Sequence, residues 1–274
     1  MGEMKMKISR VFQYLISITI LVVWFIPLLG GLMGSIRPMS EIVTGWWNLS
    51  SATFTTHNFQ YTWSRIKINF INTFAIAIPS TILPILIASL ASYAFAKMRF
   101  FGRDVIFFSF VACLVIPGQI VLVPLLILLT NLGILGTFSS IILVHTGFAL
   151  PFAIFYLRNF FAEIPSDILD SARMDGASEF LIYWKILLPI SKPALASLAT
   201  LQFLWVWNDL LFALTFLSPE TFPITVGILN LQGRYAPRWD FLCAGAVISV
   251  IPPLIVFLLL QKHFVKGIMM GAIK

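Results

Sequence analysis

The sequence predicts an all-α, polytopic membrane protein with six transmembrane helices and a further short helix on the cytoplasmic side. Three observations predict it. Of 274 residues only 11% are charged and 59% are hydrophobic, whereas a soluble domain carries about 25% charged residues. Six stretches approach the roughly 20 mostly apolar residues that a span needs: Val11 to Met33, Phe70 to Ala96, Val105 to Leu129, Ser139 to Phe161, Pro189 to Leu217 and Phe241 to His263. The basic residues behind the net charge of +7 fall in short segments between these runs. Nucleic-acid binding would need them in one stripe or patch, so it is excluded and a membrane partner is preferred.

The elements follow in order. Lys5, Lys7 and Arg10 precede the first run. That run outlasts the apolar part of a secretory signal and lacks a small-x-small cleavage site, so it reads as a retained helix. A long polar and aromatic segment, Gly34 to Asn69, comes next. The later runs contain or end on Pro79, Pro84, Pro117, Pro124, Pro151, Pro252 and Pro253. Each removes a backbone donor and bends a helix, which membrane helices tolerate where neighbours or cavity water satisfy the freed carbonyls. Together they predict curved helices around a cavity. Cys113 and Cys243 sit inside apolar runs and read as small core residues, with no disulfide framework. His57, His145 and His263 are scattered, so neither a metal nor a cofactor is expected. Gln119, Asn131 and His145 either line the cavity or pack helices.

Orientation follows from the charges beside the spans. With the N-terminus inside, the inner segments hold Lys5, Lys7, Arg10, Lys97, Arg99, Arg103, Arg158, Arg173, Lys185, Lys192, Lys262, Lys266 and Lys274, which is 13 of the 18 basic residues. The outer segments hold Arg37, Arg65, Lys67, Arg234 and Arg238, the remaining 5. Both termini are therefore expected in the cytoplasm. The segment from Arg158 to Lys192 becomes the largest and most charged inner loop.

Residues 163 to 188 have a legible local physics. Pro165 suits the first turn of a helix, where its missing N–H costs nothing. Asp167 and Asp170 lie near the helix N-terminus, where negative charge is favoured. Ile164, Ile168, Leu169 and Ala172 give a short apolar face, and Gly176 can take the left-handed conformation that ends a helix. A headgroup-bound helix is usually rich in Lys and Arg. Asp167, Asp170 and Asp175 against Arg173 point instead to a docking surface for a cytosolic protein.

The stretch Asp170-Ser-Ala-Arg-Met-Asp-Gly-Ala177, followed by Ile186-Leu-Leu-Pro189 and Pro193, resembles the cytoplasmic Glu-Ala-Ala loop of ABC importer permeases. Asp170-Ser171-Ala172 replaces Glu-Ala-Ala, and Asp175-Gly176-Ala177 matches in full. Trp205-Val-Trp-Asn-Asp209, Ser35-Ile-Arg-Pro38 and the ending Gly267-Ile-Met-Met-Gly-Ala-Ile-Lys274 are similar to carbohydrate importers of the maltose, oligosaccharide and glycerol-phosphate type. The resemblance implies a type I ABC importer transmembrane fold, a single transmembrane domain over 1–274 with its permease core at about 70–262. It implies import by alternating access, with no catalysis by this chain. It also implies the partners: a cytosolic ATPase dimer, a second homologous permease and an extracytoplasmic sugar-binding protein. Asp170, Ala172, Asp175, Gly176 and Ala177 would meet the ATPase. No Gly-x-x-x-x-Gly-Lys-Ser/Thr phosphate loop occurs, so any ATP is bound by another chain.

Asp209 is the carboxylate inside a predicted span, and such a group marks function or a structural partner. Two readings stand: Asn208 and Asp209 on a polar path for sugar hydroxyls, or Asp209 capping a broken helix or pairing with Arg or a backbone N–H. Trp205 and Trp207 fit either sugar stacking or interfacial anchoring. An ion-coupled secondary transporter is the alternative, but the internal repeats and several intramembrane ionisable groups of that class are not seen. An intramembrane enzyme would need a converging nucleophile and base, and none is apparent.

Overall fold

The computed structural model describes residues 2–50, 52–233 and 236–272, and of 2–11 and 263–272 the backbone only. Arg234 and Lys274, counted above among the flanking charges, lie outside the described residues. Thirteen α-helices make up the described chain, with no named strand among the described residues and one isolated bridge between Gly136 and Leu217. Four helices are long and apolar enough to cross a membrane, and six spans result if each of two bent helix pairs counts as one.

The chain divides into two compact units. The first holds residues 1–67 and 227–250. It contains α1 (Gly2–Ile36), α2 (Met39–Gly45), the start of α3 (His57–Lys97) and most of the first half of α13 (Trp239–Ala272). In α1 the most apolar window, within Phe12–Ile36, buries nothing, which suits a helix whose side chains are left for lipid. Its C-terminal end is closed by polar side chains. Asn58 Nδ2 donates to the carbonyls of Ser35 (3.1 Å) and Arg37 (2.8 Å), and the Thr55 amide donates to Ile36. Arg37 is buried, with Nη2 2.7 Å from Glu41 and Nη1 donating to the Trp46 carbonyl. Gly34 lies so close to Cys243 that an added Cβ would sit 2.8 Å from its Sγ, which explains a glycine at this helix contact. In the same unit Arg238 forks onto Asp240 (3.0 and 2.7 Å) and lies 3.9 Å over the Phe241 ring.

The segment expected as a loop up to Asn69 is therefore helical from His57 onward. An apolar-run criterion misses these residues, because the buried face Asn58, Thr62 and Ile66 is mostly polar.

The second unit holds residues 68–226 and 251–274. The third predicted span is not straight. It is α4 (Arg103–Cys113) followed, after a 3₁₀ turn at Gly118–Val121, by α5 (Leu122–Asn131), with a 92° bend. Pro117 sits at the break with extended backbone, where its ring also biases Ile116 away from the helix. The fourth span is α6 (Phe138–Glu163), and α7 (Ser166–Met174) follows it. The fifth differs most from expectation. It begins at α8 (Glu179–Ile182), runs through a π turn at Tyr183–Leu187 and α9 (Leu188–Ile190), bends 75° and continues as α10 (Lys192–Trp207). Pro193 in the first turn of α10 cannot extend the preceding ladder. Residues beyond Asn208 leave that helix and form α11 (Leu211–Phe216), before α12 (Ile224–Leu229).

Irregular backbone in a membrane protein must find internal partners. Here side chains of α3 supply them for residues 220–224. Asn69 Nδ2 donates to the Phe222 carbonyl (2.9 Å), and Asn72 Nδ2 to those of Glu220 (3.0 Å) and Phe222 (3.1 Å). Thr73 Oγ1 accepts the Ile224 amide at 2.8 Å. The apolar core of this unit gathers Tyr93, Ile154, Leu157, Phe161, Leu169, Tyr183 and Leu187.

Candidate functional site

The loop between α6 and α10 is anchored by buried apolar side chains, and on α7 the anchor is Leu169. Leu169 of α7 is fully buried against that core, with Ala172 and Ala177 packed at its edge. Ile164 is buried too, whereas Ile168 is 43% exposed, so the apolar face is narrower than the four residues expected. The opposite side of α7 presents Ile168, Asp170, Met174 and Asp175 to solvent, Met174 at 87% exposure. Pro165 caps α7 from one position before its first turn. Gly176 ends the turn with φ +83°, the left-handed region that L side chains avoid at a cost of about 1–2 kcal/mol. The Gly176 and Ala177 amides reach back to the carbonyls of Arg173 (3.0 Å) and Ala172 (3.0 Å).

Of the five loop residues singled out from sequence, Asp170, Asp175 and Gly176 are thus on the outer side. Ala172 and Ala177 are half-buried against the chain's own core. Met174 escaped sequence reasoning; its only signal is an apolar residue between charged ones. A charged group also formed that spacing alone does not reveal. Arg173 Nε donates to Glu179 Oε1 (2.8 Å) and Nη1 to Asp170 Oδ1 (2.6 Å). Hydrogen bonds to Glu179 first, then Asp170, hold the Arg173 guanidinium above its ordinary pKa.

A second feature is an open cavity of about 1470 Å³ between α4, α5, α6 and the end of α10. Its wall is mainly apolar (Leu125, Leu143, Phe148, Pro151 among others), and its polar lining is Gln119, Trp205, Asn208 and Asp209. Asn208 Nδ2 donates to Leu204 at 2.8 Å. Asp209 caps α11: Oδ1 accepts the Phe212 amide (3.2 Å) and Oδ2 the Ala213 amide (3.0 Å). Its own carbonyl accepts Thr225 Oγ1 at 2.7 Å. His145 is fully buried behind it, with Nε2 3.6 Å from Asp209 Oδ2.

The capping alternative for Asp209 is therefore seen, and it coexists with a place on the cavity wall. Trp205 faces the cavity, while Trp207 is buried among Phe70, Phe74 and Phe203. Cys113 lines the cavity and is exposed, not a core residue. Gln119 lines the cavity, but Asn131 and His145 do not. Among the described residues no three His, Cys, Asp or Glu side chains are grouped to hold a metal ion.

With this geometry in hand, comparison with known proteins is specific. The osmoprotective compounds uptake permease protein GgtD of Synechocystis is 42% identical over 94% of this chain and 90% of its own. The alpha-glucoside transport system permease protein AglG of Rhizobium meliloti is 46% identical over 81% of this chain and 60% of its own. A crystal structure of a bacterial ABC transporter involved in the import of the acidic polysaccharide alginate contains a chain of the same fold. It gives a TM-score of 0.84 at 22% identity, covering 94% of this chain and 97% of that one. The family model described as "Binding-protein-dependent transport system inner membrane component" matches residues 84–270. These limits take in both bent pairs, the acidic loop and the cavity, and the chain belongs to that family of inner-membrane transport permeases.

Proposed function

We propose that this chain is the membrane-spanning subunit of an ATP-driven importer that moves a sugar or oligosaccharide by alternating access. In this reading the whole chain works as one transmembrane domain, with its permease core at about 70–262, and both termini are cytoplasmic. The charge bias of 13 basic residues to 5 supports that orientation. A separate ATPase pair grips α7 and the turn after it, through Asp170, Asp175 and Gly176, with Ala172 and Ala177 shaping the inner edge. A second permease and an extracytoplasmic binding protein complete the assembly.

The single observation that carries this reading is the two-sidedness of α7: Leu169 fixed in the core, while Ile168, Asp170, Met174 and Asp175 stand outward and exposed. An acidic and apolar surface of that kind suits a protein cleft better than lipid headgroups. The sugar assignment is supported by the names of relatives such as AglG and by the mixed lining of the cavity, where Trp205, Asn208 and Asp209 offer a ring face, donors and acceptors. These three we take as the substrate path.

Affinity purification of the chain from its native membranes tests the reading. The wild-type chain should bring down an ATPase, and Gly176→Leu, strained at φ +83°, should insert normally yet lose both ATPase and uptake. Normal uptake by Gly176→Leu would count heavily against it.

A further inference from the structure

The outward side of α7 offers a docking surface, but docking alone moves nothing. The movement has to reach a membrane helix, and the packing of Leu169 and Ala172 is apolar contact that sets no direction. The structure holds a stiffer route. Arg173 in the last turn of α7 forks onto the carboxylate that opens α8, with Nε to Glu179 Oε1 at 2.8 Å and Nη2 to Oε2 at 3.2 Å. Such a fork fixes angle as well as distance. The same Glu179 Oε2 accepts the hydroxyl of Tyr93, a buried side chain of α3. One carboxylate thereby joins α7, α8 and α3.

Two further bonds run beside it. Lys97 Nζ donates to the Ile164 carbonyl at the root of α7, and Ser89 Oγ meets the Tyr183 hydroxyl at 2.6 Å. All three connections end on α3 between residues 89 and 97. None touches the cavity, so substrate contact does not account for them, and Arg173 ties them to the outward side of α7 through Asp170 at 2.6 Å.

We propose that Arg173, Glu179 and Tyr93 form a rigid link that makes α7, α8 and the 89–97 end of α3 one mechanical body, so that displacement of α7 is delivered to α3. The inference rests on the reading of α7 as the ATPase docking element. It makes these three positioning residues for transport: they touch neither nucleotide nor solute.

The test uses the assembled importer purified in nanodiscs with its ATPase. Cys113→Ala and Cys243→Ala remove native thiols, and spin labels are placed at Ser166→Cys on α7 and Leu90→Cys on α3, both exposed. Distances are read before and after trapping with ATP and vanadate. The unaltered link should give one narrow distance that trapping leaves unshifted. Tyr93→Phe, which removes one hydroxyl and keeps the ring, and Glu179→Gln should each lose the single narrow distance and become sensitive to trapping. The ATPase should stay bound and continue to hydrolyse ATP. A narrow, trapping-insensitive distance in both variants would overturn the link. So would a wild-type distance that shifts on trapping, or loss of ATPase from Tyr93→Phe. A wild-type chain that never carries an ATPase would instead contradict the docking reading itself, and purification alone shows that result.

Discussion

At residue scale, two carboxylates do structural work that a sequence cannot distinguish from function. Asp209 spends both oxygens on the amides of Phe212 and Ala213, the office of a helix cap. Asp209→Ala should therefore lower the apparent Tm of the detergent-solubilised chain by an amount matching about 1–2 kcal/mol; an unchanged Tm would mean the cap holds nothing. Glu41 is the other. The Thr53 hydroxyl, then the Arg37 guanidinium, hold its carboxyl below the usual carboxylate range. A depressed carboxylate contributes stability that is complete above its unfolded pKa and is lost as pH falls through the folded value. Stability should thus drop on acidification below about pH 4.5, and Glu41→Gln should flatten that part of the profile, as thermal melts across pH will show. Only the first was legible beforehand, and only in part. Asp209 could be narrowed to two readings, because a carboxylate in an apolar run demands a partner. The identity of that partner depends on where the chain turns at Asn208. Glu41 gave no signal, since its partners Arg37 and Thr53 meet only after α2 folds back.

Elements show the same division. The long apolar runs located α1, α3, α6 and α13, because an uninterrupted helix satisfies its own backbone whatever surrounds it. Prolines announced bending but not which of them break a helix, and Pro193 was not read as a bend. Pro117 and Pro193 accompany bends of 92° and 75°, and Pro79, Pro84 and Pro151 remain inside continuous helices. Whether a proline bends or breaks a helix depends on what its neighbours offer the freed carbonyls. The polar start of α3 escaped for a related reason: its buried positions are Asn58 and Thr62, chosen for hydrogen bonds to other segments. Asn72 makes this testable. Asn72→Leu leaves the Glu220 carbonyl unpaired and removes one partner from Phe222, a cost of about 1–3 kcal/mol. A thermal melt should register that loss, with Asn72→Gln recovering part of it. A melt as high as wild type for Asn72→Leu would show that residues 218–224 do not depend on α3.

For the whole molecule, the acidic loop was the most readable part, since Pro165, the clustered aspartates and Gly176 each carry a local meaning that survives folding. Its connection to α3 was not, because Tyr93 and Glu179 are 86 residues apart and nothing in either neighbourhood announces the pair. The account therefore turns on which way the outward side of α7 faces and what covers it. The direct measurement is thiol labelling of Met174→Cys, in a chain with Cys113→Ala and Cys243→Ala, by a membrane-impermeant reagent. The reagent should leave right-side-out vesicles unlabelled and label inverted vesicles stripped of ATPase, and restored ATPase should protect the thiol. Labelling in right-side-out vesicles, or labelling of inverted vesicles that restored ATPase does not reduce, would contradict the account.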